Sequence, residues 1–337
     1  MRSLKLTFLL TLFLLAGCGN NVERTTLLVY TPHGRDLLRD FAQKYEAANP
    51  NVKVQFLDIG SREILERIRA ERFHPQADIW FGASQITFQD AANENLLANY
   101  RPTWADKVSA DSHDVNDFWY GTYETPEVIA YNSEVLTAET APKDWDEVLT
   151  ETWRDKILIR NPIPSDSMRV IFGAMIQRQT STENGYEWLE KLDGNVKEYT
   201  SDGSLLMQKI ARREGLISLW NMPDVVLFKQ QKNLPVDYIL PASGTPVVID
   251  AIAVVKNAPN QREAQKFYEF VTTRENLIYA ANKYYRLPVS RPDVEKSELP
   301  AWMQTDFKRM NVNWDDLRKN GSVYIKHWDN KIRGRNK

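Results

Sequence analysis

The sequence predicts an α/β protein built as two blocks of helix-covered sheet. Three observations carry this. Short apolar strands alternate with amphipathic helices, the order β-α-β-α-β-α opens the folded part, and 337 residues are enough for two hydrophobic cores. Residues 26–30 form a β-type run that Pro32, His33 and Gly34 break. Leu37, Leu38, Phe41, Tyr45 and Ala48 then fall at helical spacing until Asn49-Pro50 stops them. Residues 52–56 alternate as a half-buried strand. Gly60-Ser61 turns into a helix over 62–72, with Ser61 as N-cap and Ile64, Leu65 and Ile68 inward. A strand over 78–81 ends at Gly82-Ala83-Ser84, and a helix over 88–97 follows. A sheet with this order of elements is expected to be largely parallel.

The second block begins near Tyr120. It reads as a strand over 128–131, a short helix over 145–149, a strand over 156–159, a helix over 168–179 and a further segment over 188–192. A helix over 205–213, a strand over 216–220 and a helix over 225–231 complete it. The apolar run 247–255 is long enough to pass between blocks. Helices over 263–273 and 276–283 close the pattern. Pro288 and Pro292 mark an irregular tail, and the basic stretch 326–337 reads as a frayed, solvated terminus.

The N-terminus carries an address. Arg2 and Lys5 precede an apolar run, and small residues follow in Leu15-Ala16-Gly17-Cys18. This is the order of an export signal over 1–17. The run is too short for a membrane-spanning helix, which needs about 20 apolar residues. Leu-Ala-Gly-Cys resembles the lipobox of bacterial lipoproteins, in which the cysteine becomes the lipid-bearing first mature residue. Cys18 is the only cysteine of the chain, so the fold must hold without an internal disulfide. The expected product is an extracytoplasmic domain, in the periplasm or at the cell surface, tied to a membrane through the lipid on Cys18. Without the signal, basic residues fall from 43 to 41 against 45 acidic ones. That mildly acidic balance argues against nucleic acid as a partner.

Several short segments, in order, resemble one family. They are Val29-Tyr30-Thr31-Pro32-His33-Gly34, Gly60-Ser61, Ala77 to Gly82, Ala130-Tyr131-Asn132, Ala141 to Trp145, Asp250 to Val255 and Arg286-Leu287-Pro288-Val289. Their order and spacing resemble the type 2 extracellular solute-binding proteins of ABC importers, in the branch with ferric-, thiamine- and sugar-phosphate-binding members. The resemblance implies the type 2 periplasmic-binding-protein fold: two α/β lobes, crossover hinge strands and a ligand cleft. It puts lobe 1 at 24–128 plus 246–337 and lobe 2 at 129–245. It implies a monomer that captures a small solute and delivers it to an ABC transporter permease, with no catalysis and no cofactor. A lipoprotein sensing its ligand for a membrane receptor would have the same binding half.

In open α/β sheets ligands sit beyond the carboxyl ends of strands, where helix N-termini offer free N–H groups to anions. Four turns fit: Thr31 to Gly34 with His33, Gly60-Ser61, Gly82-Ala83-Ser84, and the stretch holding Ser167 and Arg169. Trp80, Trp220, Asn221, Thr245 and Asp250 complete the candidate set. Together they predict an anionic or phosphorylated solute. Glu124 and Asp224 beside aromatics keep a cationic solute open, such as thiamine, its phosphates or a polyamine. Ferric iron is a further alternative. The adjacent tyrosines usual in ferric-binding members are replaced here by Asn221-Met222-Pro223-Asp224, and Tyr284-Tyr285 lies elsewhere. No Cys/His cluster suits zinc and no Asp-rich loop suits calcium, so no metal is expected. An exported hydrolase finds no support: Gly-x-Ser-x-Gly and His-Glu-x-x-His are absent, and His33, His74, His113 and His327 are scattered.

Overall fold

The computed structural model describes residues 24–334, so Cys18 and the expected export signal over 1–17 lie outside the described residues. β1 (Thr25–Thr31), α1 (Arg35–Ala48), β2 (Val52–Asp58), α2 (Ser61–Glu71), β3 (Ile79–Ser84) and α3 (Gln85–Asn93) follow one another. In α1, Leu37, Leu38, Phe41 and Tyr45 are buried because the 3.6-residue turn gathers them on one face. After the short β4 (Leu97–Ala98) comes the long strand β5 (Tyr120–Asn132). Next are β6 (Ile157–Arg160), α4 (Asp166–Gln177), α5 (Thr182–Asn195), β7 (Val196–Thr200), α6 (Gly203–Ala211), β8 (Ile217–Asn221), α7 (Met222–Gln231) and β9 (Val236–Ile239). β10 (Val247–Val255), α8 (Gln261–Val271), α9 (Arg274–Tyr284) and β11 (Leu287–Pro288) precede α10 (Ala301–Gln304) and α11 (Trp314–His327).

The main strand order is β2-β1-β3-β10-β5-β8-β6-β7. β5 is shared by both halves. Up to Pro126 it pairs with β10, and from Glu127 it pairs with β8 and β9. Each lobe is parallel in its outer part, β1 with β2 and β3, and β6 with β7 and β8. The expected largely parallel sheet is corrected to a mixed one. The chain crosses between lobes in β5 and returns in β10, and these two strands run antiparallel to their neighbours.

Two buried cores follow from this crossing. One gathers β1 to α3 with the first part of β5 and Ala251 to Tyr284. The other gathers the second half of β5, the helices through α7, Val248, and the chain end from Val312 to Ile332. The placing of all of 246–337 in lobe 1 is therefore corrected, since α11 packs on α4 of the second core. The contact is close: a Cβ on Gly173 would meet Leu317 Cδ1 at 2.0 Å, and Gln177 Nε2 donates to Asp316 at 2.9 Å. The frayed tail is corrected with it. Leu317, Gly321, Tyr324 and Ile325 share one helical face, and Trp328 and Ile332 beyond them are fully buried. The many charges between these residues masked that stripe in the sequence. The strands β7 and β9 were also not expected, being short and rich in polar residues.

Candidate functional site

A cleft of about 480 Å³ lies between the two cores. Five helices begin on its walls: α1 and α2 from the first lobe, α4, α6 and α7 from the second. Their caps differ. Ser165 Oγ accepts from Met168 N–H at 3.3 Å, Asp202 from Leu205 at 2.7 Å, and Asn221 from Asp224 at 2.9 Å. Each of these uses a side chain to satisfy a first-turn amide. α1 and α2 instead start at Gly34 and Gly60, which have no side chain to do so. Gly34, Gly60 and Ser61 line the cleft, so the positive ends of both helix dipoles meet it without a side-chain cap. Gly34 sits at φ 87°, a conformation that costs a side-chain-bearing residue. Asp58 lies beside this turn; burial raises its pKa, opposed by Arg35, the Gly34 N–H and Arg286.

Of the residues the sequence singled out, His33, Ser61, Ser167, Trp220, Asn221, Asp224 and Asp250 line this cleft. Ser61 is not the N-cap of α2. Gly60 is, with extended backbone, and Ser61 opens the first turn. Thr31 stands one step back, its Oγ1 accepting from the His33 N–H at 3.1 Å. Gly82 lies beneath His33: a Cβ there would come within 2.5 Å of the ring's Nε2. Burial holds the His33 ring well below the ordinary imidazole pKa, with Arg286 adding to the effect, so it is neutral.

The other candidates are corrected. Trp80 is fully buried in the first core, stacked on Phe88 with ring centroids 4.4 Å apart. Ser84 caps α3 and bonds Asp166, which also accepts from Thr87 at 2.8 Å and so joins the lobes at one end of the cleft. Arg169 donates to Ser322 at 2.8 Å in a small pocket on the far side of α4. Glu124 pairs with Arg309 at 2.5 Å, and Thr245, which bridges to Arg309, lies with it behind the hinge strands. Strand alternation explains Glu124: its neighbour Thr125 faces the cleft, so Glu124 faces away.

A family model described as bacterial extracellular solute-binding protein matches residues 75–320. The chain belongs to that family. Two relatives, both 24% identical, are similar over most of their length. One is a Sinorhizobium fredii protein named as an ABC transporter periplasmic-binding protein, covering 87% of this chain and 82% of the relative. The other, from Salmonella typhimurium, is named for binding 2-aminoethylphosphonate and covers 82% of each chain. Among solved structures, AfuA from Actinobacillus pleuropneumoniae with fructose-6-phosphate bound has TM-score 0.80 at 21% identity, covering 92% and 99% of the two chains. A ferric binding protein from Campylobacter jejuni has TM-score 0.78 at 20% identity, covering 90% and 98%. These structures share the type 2 periplasmic-binding-protein fold with this solute-binding protein.

The sequence reading missed both arginines of the cleft in this binding protein. Arg160 ends β6, where the strand-end rule would have pointed. Arg286 follows α9, whose cap residue Tyr285 takes φ 55° and turns the next side chain inward. Arg286 Nη2 donates to the His33 carbonyl at 3.2 Å and stands 3.5 Å from Asp224, and its buried Nε has no hydrogen-bond partner. Burial lowers the pKa of Arg160, opposed by Asp202 and Glu63. Asp166 and Glu127 also escaped notice. Tyr284 points away from the cleft, its hydroxyl donating to Asp40 at 2.6 Å, and neither Tyr284 nor Tyr285 is among the cleft residues.

Proposed function

We propose that the protein captures a small solute with a phosphonate or phosphate group between its lobes and delivers it to the permease of an ABC importer. One observation carries the reading: the uncapped N-termini of α1 and α2 open onto the same cleft as Arg160 and Arg286. Free helix amides and guanidinium forks together suit tetrahedral oxyanions. A relative named for a phosphonate and a fold neighbour with a sugar phosphate support it. Ferric iron is the weaker reading, because no tyrosine lines the cleft among the described residues. The ligand touches both lobes, so binding is expected to favour the closed arrangement.

Native mass spectrometry of untreated protein, followed by thermal-shift titration, tests this. Phosphonates, sugar phosphates, thiamine esters, polyamines and ferric citrate form the panel. A solute at 100 times its Kd stabilises the folded state by about 2.7 kcal/mol, a rise of several degrees. The expected hit carries a phosphoryl or phosphonyl group. A response confined to polyamines or to iron would overturn the reading.

The same proposal places the protein on a membrane through a lipid at Cys18. Cys18→Ser is expected to shift the protein from the membrane fraction to the soluble one, or to leave the signal uncut, read by fractionation and intact mass. Normal processing with unchanged membrane attachment would rule out the lipid anchor.

A further inference from the structure

The cleft holds more acid than an anion site needs. Its two arginines face five aspartates: Asp58, Asp166, Asp202, Asp224 and Asp250. Three have local duties. Asp58 lies at the start of α1 beside Gly34 and Arg35, Asp166 joins the lobes through Ser84 and Thr87, and Asp202 caps α6. Asp224 and Asp250 remain, and a third carboxyl joins them. Side chains alternate along β5, so Tyr123, Thr125 and Glu127 share the face on which Thr125 meets the cleft. On the paired strand β10, Val248 and Asp250 lie opposite Thr125 and Tyr123 and line the cleft too.

Glu127 is the unexplained group. It is fully buried, and neither of its carboxyl oxygens has a hydrogen-bond partner. The groups acting on it are Ser167, Asp250 and Asp224, all on the cleft wall. Asp250 accepts only one side-chain bond among the described residues, from Thr125 Oγ1 at 2.6 Å. Asp224 accepts from Trp220 Nε1 and Asn221 Nδ2, each at 3.1 Å. The cation beside them is Arg286, 3.5 Å from Asp224. Buried acceptors without donors are costly, and such groups are normally satisfied by something.

We infer that Asp224, Asp250 and Glu127 form a subsite for a protonated amine of the solute. An ammonium brings three donors and no acceptor, which matches a cluster in which Glu127 lacks a hydrogen-bond partner and Asp250 accepts a single side-chain bond. This inference rests on the reading that the same solute places its anionic group at the α1 and α2 N-termini. The two subsites together select a zwitterion: a small phosphonate or phosphate monoester carrying an amine. A solute with the anion alone would leave Glu127 without a donor.

The subsite also sets a proton signature. Burial raises the pKa of Glu127 well above the ordinary carboxyl range, with Asp250 and Asp224 adding to it and Ser167 opposing. Burial likewise pushes Asp250 up to about 6, opposed by Thr125 and Arg286 and reinforced by Asp166 and Asp224. Tyr123 and the neutral His33 are the other titratable groups near them. An ammonium favours the ionised form of both acids. Its binding therefore releases protons, and affinity for the amine-bearing solute rises as pH increases through about 6.

The test is calorimetry on the mature protein with aminoethylphosphonate, ethylphosphonate and putrescine at millimolar concentration, in buffers of different ionisation enthalpy. Aminoethylphosphonate is expected to bind about tenfold to hundredfold more tightly than ethylphosphonate, as one charged hydrogen bond predicts, and with net proton release. In Asp250→Asn and in Glu127→Gln the ratio of the two affinities is expected to fall towards one. Equal affinities in the wild type, or proton uptake, overturn the amine subsite and leave the anion reading standing. The wild-type comparison decides the matter even if a variant fails to fold. Binding of putrescine with neither phosphonate overturns the anion reading, and binding of none of the three overturns both.

Discussion

Arg286→Ala is expected to weaken phosphonate binding about tenfold to hundredfold. The guanidinium reaches the cleft from the end of α9, stands between the His33 carbonyl and Asp224, and leaves its Nε free. A charge-assisted hydrogen bond to an oxyanion contributes about 1.5–3 kcal/mol, which sets that range. Arg286→Lys should not restore affinity, because an ammonium lacks the planar fork that grips two oxygens at once. Asp224 keeps its bonds from Trp220 and Asn221 in either variant, so the unliganded protein should melt nearly as the wild type does. Arg169→Ala is the control. Its side chain is tied to Ser322 outside the cleft, so affinity should stay within about twofold. Isothermal titration of the three variants decides the matter, and wild-type affinity in Arg286→Ala would remove this residue from the site.

Trp80→Ala should cost about 3–5 kcal/mol of stability and leave the binding chemistry alone. The indole is fully buried and stacks on Phe88 beneath the first-lobe sheet. Its loss removes a large apolar area and leaves a cavity that the paired strands β1, β3 and β10 cannot collapse to fill. Urea unfolding followed by circular dichroism should show a large drop in midpoint. Binding by the fraction that remains folded should be close to wild type. Loss of affinity with unchanged stability would return Trp80 to the ligand site.

Much of the site was legible as turns and little of it as side chains. His33, Ser61, Ser167, Asn221 and Asp224 could be found because they sit where strands end and helices begin, and the fold puts ligands there. Arg169 followed the same reasoning one step too far. It lies two residues beyond Ser167 on α4, and residues two apart on a helix face nearly opposite ways. One of the pair meets the cleft and the other meets α11. Arg286 could not be found by such spacing, because its direction depends on the left-handed Tyr285 before it.

The sequence by itself determined the local elements of the first lobe and the family. Each depends on neighbours in the chain: a helical or two-residue period, or short motifs in fixed order. Only the tertiary structure decided which face of β5 looks into the cleft. Alternation separates Glu124 from Thr125 and Glu127, but the two faces become cleft and back only when β10 and β8 pair with the strand. The tertiary structure also decided that α11 serves the second lobe and that Arg286 stands beside Asp224. These contacts join residues far apart in sequence, and no local period records them. They form because two incomplete cores each bury apolar surface, and that burial brings the distant side chains together.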